Sequence, residues 1–371
     1  MVDIKSKEGL LKITKIIFFS IHLLTLNFGI FSKYTFARRI VSPCLIFLSI
    51  IASVISIAEF IVEKDVLMIF FGMVAVIGFS NLLTKLSSIC FNEDEIESLF
   101  KWIEDFYLND SEPILAKVKE KSLTKVLFLL KAFLKFYISS LILGLCCANL
   151  LYNIHDIRLL KIPYLPKTSN MNLQTGFYCS CILLYGAPVM CFGCMGIMFI
   201  GILKFFNECI ALMEDDSLND DTADGFILLL HKMHCKIYMK FRIYENIFSF
   251  SVFFEITLNS GIIIMVLVLI RLYPSNAICY IFFVTVTSQL VIYCLFGDFF
   301  FSETDNIPIN LYLTKWYDMN RKDKRVLLLM LMMSSRPFGL KAAGMYDINI
   351  VLFVKIMKLT FTYCAILYTF L

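Results

Sequence analysis

Residues 277–301 read AICYIFFVTVTSQLVIYCLFGDFFF, a run of 25 residues in which Asp298 is the single charge. At 1.5 Å rise per residue, about 20 apolar residues suffice for a helix to cross a bilayer core of about 30 Å. The run is long enough, and its one carboxylate lies near an end. In hydrocarbon the backbone has no water to bond, and a helix satisfies its own N–H and C=O groups within one segment. We therefore expect a membrane-spanning helix here.

Working outward, the same test picks out six more runs: Ile40 to Ile61, Val66 to Ile89, Val126 to Leu151, Phe177 to Leu203, Ile247 to Ile270 and Ile348 to Leu371. Composition agrees with seven spans. Hydrophobic residues make up 59% of the 371-residue chain and charged residues 17%, and mean hydropathy is +0.78. Globular domains run about 45–50% apolar and about 25% charged. Short polar loops between the runs favour one bundle over several domains. The run from Ile16 to Ile30 imitates a signal peptide's apolar middle, but no small-residue cleavage site follows and His22 and Asn27 interrupt it. We read it as a short interfacial or re-entrant helix.

Orientation follows from the basic residues. Lys5, Lys7, Lys12, Lys15, Lys33, Arg38 and Arg39 precede the first span, whereas only Lys64 follows it, among Glu59, Glu63 and Asp65. The positive-inside rule then puts the amino terminus in the cytosol and, after seven spans, the carboxyl terminus outside. On that topology the one glycosylation sequon, Asn109-Asp110-Ser111, is cytosolic and stays unmodified. Several helices exceed the membrane. Phe177 to Met213 would extend about 55 Å, and Phe226 to Ile270 begins with His231, Lys232, His234, Lys236, Lys240 and Arg242, so both should project into the cytosol around the acidic loop Glu214 to Asp224. A third cytosolic helix is expected from Leu311 to Met333, ended by Arg336-Pro337.

Other function classes find little support. A formal charge of +4 is too weak and dispersed for nucleic acid, and no Gly-rich phosphate loop is present. No nucleophile, base and orienting group occur together, so we expect no enzyme and no cofactor. The thirteen cysteines lie mostly inside apolar runs, as do Cys146-Cys147 and Cys179, Cys181, Cys191 and Cys194, where a free thiol behaves as a small hydrophobe. No metal site is expected: the lone Cys191-Phe-Gly-Cys194 has no partner pair, and His231 and His234 have no third ligand at a clear spacing.

The carboxyl-terminal quarter carries a more specific pattern. Gln289-Leu290-Val291-Ile292-Tyr293-Cys294-Leu295-Phe296-Gly297, Glu303, Leu311-Tyr312 and Trp316-Tyr317 are followed by Lys324-Arg325 and the Leu-Met run Leu327 to Met333. Ser335-Arg336-Pro337, Ala343-Gly344, Phe353, Ile356, Lys358 and Tyr363 complete it. In this order the residues resemble the insect odorant receptor family over about residues 280–371, and span count and topology extend a weaker likeness to the whole chain. The family often has a polar residue where Glu255 stands, and an acidic one in the fourth span where this chain has Met198-Phe199.

The resemblance implies an odorant-tuning subunit of a poorly selective, ligand-gated cation channel in the plasma membrane of sensory neurons. It implies a heterotetramer with the family's co-receptor subunit, in contact with membrane lipid and permeating cations and opened by a small volatile odorant. The fold expected is an all-α membrane protein with seven transmembrane helices, a cytosolic amino terminus and cytosolic extensions forming an anchor. Residues 1–39 would be the amino-terminal segment, 40–306 a six-helix ligand-binding bundle and 307–371 the anchor helix with a pore-lining seventh span.

Aromatic and small residues in the outer halves of four spans are pocket candidates: Phe70 and Met73, then Gly144, Leu145 and Ala148, then Tyr178 and Tyr185, then Tyr280, Phe283 and Thr287. Few charges share these halves, so a neutral ligand with one or two hydrogen-bonding groups is favoured. In the last span Lys355 and Lys358 share a face and either snorkel to the cytosolic boundary or line an inner vestibule. Ile366 and Phe370, one turn apart with Thr362 nearby, fall where the family has its hydrophobic pore constriction. Glu255, about a third of the way into the fifth span, is read as a boundary carboxylate paired with a lysine or arginine of the cytosolic body. A gustatory-type homomeric channel is the nearest alternative. A transporter would show repeats or paired broken helices, and a G-protein-coupled receptor has the opposite amino-terminal side.

Overall fold

The computed structural model describes residues 4–27, 35–64, 66–109, 113–155, 167–213, 225–275 and 277–370. Side chains are described for these except 4, 5, 35, 38, 113, 114, 143–155, 167–185, 278, 368 and 370. The described chain is almost wholly helical: α1 (Ile4–Leu24), α2 (Thr35–Glu63), α3 (Val66–Phe91), α4 (Glu93–Leu108), α5 (Pro113–His155), α6 (Lys167–Ala211), α7 (Phe226–Leu272), α8 (Ala277–Leu313), α9 (Arg321–Ser334) and α10 (Ile350–Phe370). Six of these helices contain stretches long and apolar enough to cross a membrane: Arg39–Glu63, Val66–Phe91, Gly186–Ala211, Phe226–Leu272, Cys279–Leu313 and Ile350–Leu367. They coincide with six of the seven expected spans, and the remaining one, Val126 to Leu151, lies within α5. The acidic loop from Glu214 to Asp224 and most of the sequon lie outside the described residues.

Two expectations are corrected. The first helix starts at Ile4 instead of Ile16, because Leu10, Ile13, Ile17, Ile21 and Leu24 form one buried stripe at helical spacing that runs straight through the expected lysine flank. The single helix expected from Leu311 to Met333 is two: α8 runs on to Leu313, a turn follows, and α9 begins at Arg321. The Asn320 side chain accepts a hydrogen bond from Asp323 N at 2.8 Å, which caps the new helix and ends any continuity with α8.

The chain forms two compact units. One comprises Lys12–Glu97 and Leu130–Cys194. In it α2 and α3 pack closely, a Cβ on Gly72 falling 2.6 Å from Ile57 Cγ1. The face of α2 carrying Ser42, Ser49, Ser53 and Ser56 is buried, each hydroxyl donating to a backbone carbonyl. Small residues of this kind let membrane helices approach, and their hydroxyls stay bonded without water.

The other unit comprises Met1–Leu11, Ser98–Leu129 and Met195–Leu371. Its core is aromatic: Trp102 stacks on Phe199, Phe199 meets Tyr244 at 5.3 Å, and Phe241 joins Phe300 and Phe338, each at 5.1 Å. Such ring pairs add about 0.5–1.5 kcal/mol beyond the area they bury. A polar ladder crosses the same unit, with Asn207 Nδ2 donating to the Glu303 carbonyl at 2.9 Å and Asn310 Nδ2 to Asn207 Oδ1 at 3.1 Å. Between α9 and α10 lies a hairpin that the sequence does not announce, β1 (Lys341–Ala342) antiparallel to β2 (Tyr346–Asp347). Three residues, Ala343 to Met345, connect the strands; Ala343 (φ 48) and Gly344 (φ 73) both have positive φ, and Met345 N donates to Ala342 O at 2.9 Å to close the turn. Ala343 N donates to Ser249 O at 3.1 Å, tying the hairpin to α7.

Candidate functional site

The expected ligand residues fall in both units. On α8, Tyr280, Phe283 and Thr287 follow i, i+3, i+7 spacing and share a face. Tyr280 is exposed, its hydroxyl donating to Pro274 O at 3.2 Å, whereas Phe283 and Thr287 are half-buried. The Thr287 Oγ1 is buried and makes no hydrogen bond among the described residues. A hydroxyl in that state costs free energy that a bonding ligand would recover. On α3, Phe70 is buried edge-on to Phe71 at 5.8 Å, and Met73, one turn on, is partly exposed. The side chains of Gly144, Leu145, Ala148, Tyr178 and Tyr185 lie outside the described residues.

Near Thr287 in sequence, Gln289 joins a polar group of which the sequence pointed to one member. Glu255, 1% exposed in α7, accepts from Asn259 Nδ2 at 3.1 Å and from the Gln289 amide of α8. These amides stand where a lysine or arginine partner is expected from sequence. The available signal is spacing: Asn259 is one turn from Glu255, and Gln289 interrupts an otherwise apolar run.

The last helix sorts its residues by face. Thr360 and Cys364 are buried on one side, and the Cys364 thiol lies 3.7 Å from Ile264 O. Most of the remaining described surface of the helix is exposed, and within it Val351, Lys355, Lys358, Leu359, Thr362 and Ile366 share the side opposite Thr360 as one stripe. The Thr362 hydroxyl is occupied by Lys358 O at 2.9 Å. Phe370 belongs to the same stripe by spacing, and its side chain lies outside the described residues. The start of the helix is fixed by a close approach: a Cβ on Gly297 would stand 2.1 Å from Ile348 O, so only glycine lets α8 pass there.

Other titratable clusters have structural partners. His22, Glu93 and Glu97 bring their donor atoms within 4.8 Å of one another, the one such group among the described residues that could meet a metal ion. Yet the buried Glu93 carboxylate already accepts from Thr25 Oγ1 at 2.9 Å and Asn27 Nδ2 at 3.0 Å, with Arg39 Nε at 3.5 Å. That carboxylate ties the end of α1 to the start of α2. His234 is buried and stacked on Phe206 at 5.3 Å. Burial, helped by neighbouring His231, pushes its imidazole down from 6.5 to about 4, so it is neutral at physiological pH. Glu245 is drawn the other way: burial raises its carboxyl, while Arg242, 3.2 Å away, opposes the rise. Cys191 and Cys194 are both buried and free.

Comparison with known proteins bears on the whole arrangement. The model of the family described as 7tm Odorant receptor matches residues 65–361. Among solved structures, the chain is similar to the insect olfactory receptor OR5 from Machilis hrabei, with 14% identity and a TM-score of 0.71 over 96% of this chain and 98% of that one. It is also similar to the same receptor in complex with eugenol, with 16% identity and a TM-score of 0.71 over 98% of this chain and 100% of that one. At such identities the likeness carries the fold.

Proposed function

The chain belongs to the 7tm odorant receptor family, and from that premise we propose that it is the odorant-tuning subunit of a heteromeric, ligand-gated, non-selective cation channel. It sits in the plasma membrane of sensory neurons with its amino terminus in the cytosol and assembles with a co-receptor subunit into a tetramer. A small, volatile, mainly apolar ligand binds in the outer half of the helix bundle. The last helix lines the pore.

The observation that carries this reading is the exposed stripe of α10. A helix that served only as an anchor would have no use for Lys355 and Lys358 on the face that also carries Thr362 and Ile366. In an assembled ring that face turns toward water, with cations at one end and an apolar constriction at Ile366 and Phe370 toward the other. Such a constriction blocks ions by excluding their water. The ligand reading draws support from Thr287, whose unbonded hydroxyl sits in an apolar run where a neutral odorant with one polar group would need a partner. The similar receptor from Machilis hrabei has been solved in complex with eugenol, a small organic molecule.

The test is electrical. Expressed with a co-receptor in cells lacking native receptors, the chain gives odorant-evoked cation current; expressed alone, it gives little. Robust current from the chain alone would replace the heteromer with a homomeric channel, and silence in both conditions across a broad odorant panel would remove the channel function.

A further inference from the structure

Outside the pocket and the pore, one feature is built for a ligand that neither accounts for. Between the cytosolic ends of α5 and α6 lies an open groove of about 650 Å³. Its floor is a tight helix contact, where Ser122 Oγ donates to Gly201 O at 3.2 Å and a Cβ on Gly201 would stand 2.1 Å from Val126. Lys121, Lys125 and Lys204 stand along one end, with Glu208 the single carboxylate among them. Phe128, 72% exposed, with Leu129 and Ile200 lines the other. The walls are thus graded along the helices: positive where α5 enters the membrane region, apolar where the span begins at Val126.

We propose that this groove holds an anionic phospholipid of the inner leaflet, its phosphorylated headgroup on the three lysines and the start of one acyl chain on Phe128, Leu129 and Ile200. Basic pockets between membrane helices on the cytosolic side bind headgroups of this class. Charge complementarity favours this occupant over a protein partner. Residues 113–135 hold six lysines, Lys117, Lys119, Lys121, Lys125, Lys131 and Lys135, against the single Glu120. Lys125 reaches Glu208 at 3.1 Å and Lys204 reaches Glu303 at 3.5 Å, yet both keep half their surface open, at 56% and 50%. Lys121 is exposed and has no ion pair among the described residues. These lysines hold position and still have donors to offer, and a peptide in the groove would leave the apolar end facing lipid. The inner-leaflet assignment rests on the cytosolic placement of these helix ends under the proposed topology.

The experiment uses the full chain in detergent micelles, where sidedness plays no part, so a failed topology and a failed lipid site are told apart. Fluorescence anisotropy follows a tail-labelled phosphatidylinositol 4,5-bisphosphate. Lys121→Gln, Lys125→Gln and Lys204→Gln should each weaken binding about fivefold, and the triple variant about a hundredfold. Lys322→Gln with Arg325→Gln, which remove two positive charges from α9, should leave it unchanged. Phosphatidylcholine should not compete. Full binding by the triple variant, or equal loss in the α9 control, overturns the site. Displacement by free inositol trisphosphate as effective as by the lipid would make it an anion site without a lipid. Cross-linking of a Thr124→Cys variant to a neighbouring chain in the assembled channel would give the face to a subunit interface.

Discussion

Single residues in this chain act mainly through what burial does to their polar atoms. His234 is neutral in the fold because burial holds its pKa near 4. In the unfolded chain the same imidazole titrates near 6.5, so below that pH the unfolded state binds a proton that the folded state refuses. The stabilisation is complete above pH 6.5 and is lost progressively from there down to about pH 4, by up to about 3 kcal/mol. Thermal unfolding in detergent between pH 7 and 4 should show the decline, and His234→Phe, which keeps a ring against Phe206, should flatten it; an unchanged slope would show that other groups carry the acid sensitivity. Thr287 makes the opposite kind of prediction, because in the proposed pocket its hydroxyl gains a partner only when ligand binds. Thr287→Val should leave expression and stability intact and raise the half-maximal concentration of hydroxyl- or carbonyl-bearing odorants about two- to tenfold, the worth of one hydrogen bond. Dose-response curves that stay parallel and unshifted across such odorants would take Thr287 out of the pocket. The sequence could nominate Thr287, since a polar residue inside an apolar run is visible there. It could not show whether the helix's own carbonyls already bond that hydroxyl, and rotamer and packing decide that. The same gap hid the amides around Glu255, where one partner is a turn away and the other is on a different helix.

At the scale of elements, the sequence is legible wherever a pattern repeats and obscure wherever a single residue breaks it. Long apolar runs identify the six described helices that are long and apolar enough to cross a membrane, because length and composition are what a hydrocarbon core demands. The break between α8 and α9 is hidden because Asn320 competes as a cap with an amphipathic pattern that continues on both sides. The hairpin is hidden because strands of two residues have no alternation to read, although Ala343-Gly344 stands out in the family pattern. Its positive φ angles explain the pair physically: Gly344→Val should cost about 1–2 kcal/mol at a left-handed position and lower the melting temperature, whereas Gly344→Asn should be milder. The last helix makes the functional prediction at this scale. Ile366 lies on its exposed stripe and Phe370 is one turn on by spacing, so in the proposed gate Ile366→Ser or Phe370→Ser would make a closed constriction easier to wet. Ligand-independent current with an unmodified co-receptor should rise in a graded way, because the partner subunits keep their own side chains, while the order of odorant preference holds. Leu359, nearly two turns earlier, should matter less on substitution. Unchanged basal conductance and ion permeability in both serine variants would place the gate elsewhere.

For the whole molecule, the property that composition decides is the solvent, and the property it decides least directly is which side faces which compartment. A chain with 59% hydrophobic residues has few soluble alternatives, but orientation depends on a handful of charges at the ends of spans. Lys5, Lys7, Lys12, Lys15, Lys33, Arg38 and Arg39 all precede the apolar run that starts at Ile40, against Lys64 alone just after it. Moving those cations across a bilayer is opposed, which is why the proposed topology keeps the amino-terminal flank in the cytosol. Each further span reverses the side, and the seven proposed spans would carry Leu371 outward. The same alternation would turn Lys117 to Lys125 of α5 and the early part of α7 toward the cytosol, which is where their lysines and arginine would also be favoured, so two further stretches of charge agree with the first. An epitope after Leu371 should therefore be labelled by antibody on intact cells, and one before Met1 only after permeabilisation. Asn109 should carry no glycan, read as no change in gel mobility after glycosidase treatment. The reverse labelling would overturn the orientation and with it the inner-leaflet assignment of the lysine groove; labelling at both ends would require an even number of spans, and α5 would be the first helix to re-examine, since its apolar stretch is the one interrupted by Lys131 and Lys135.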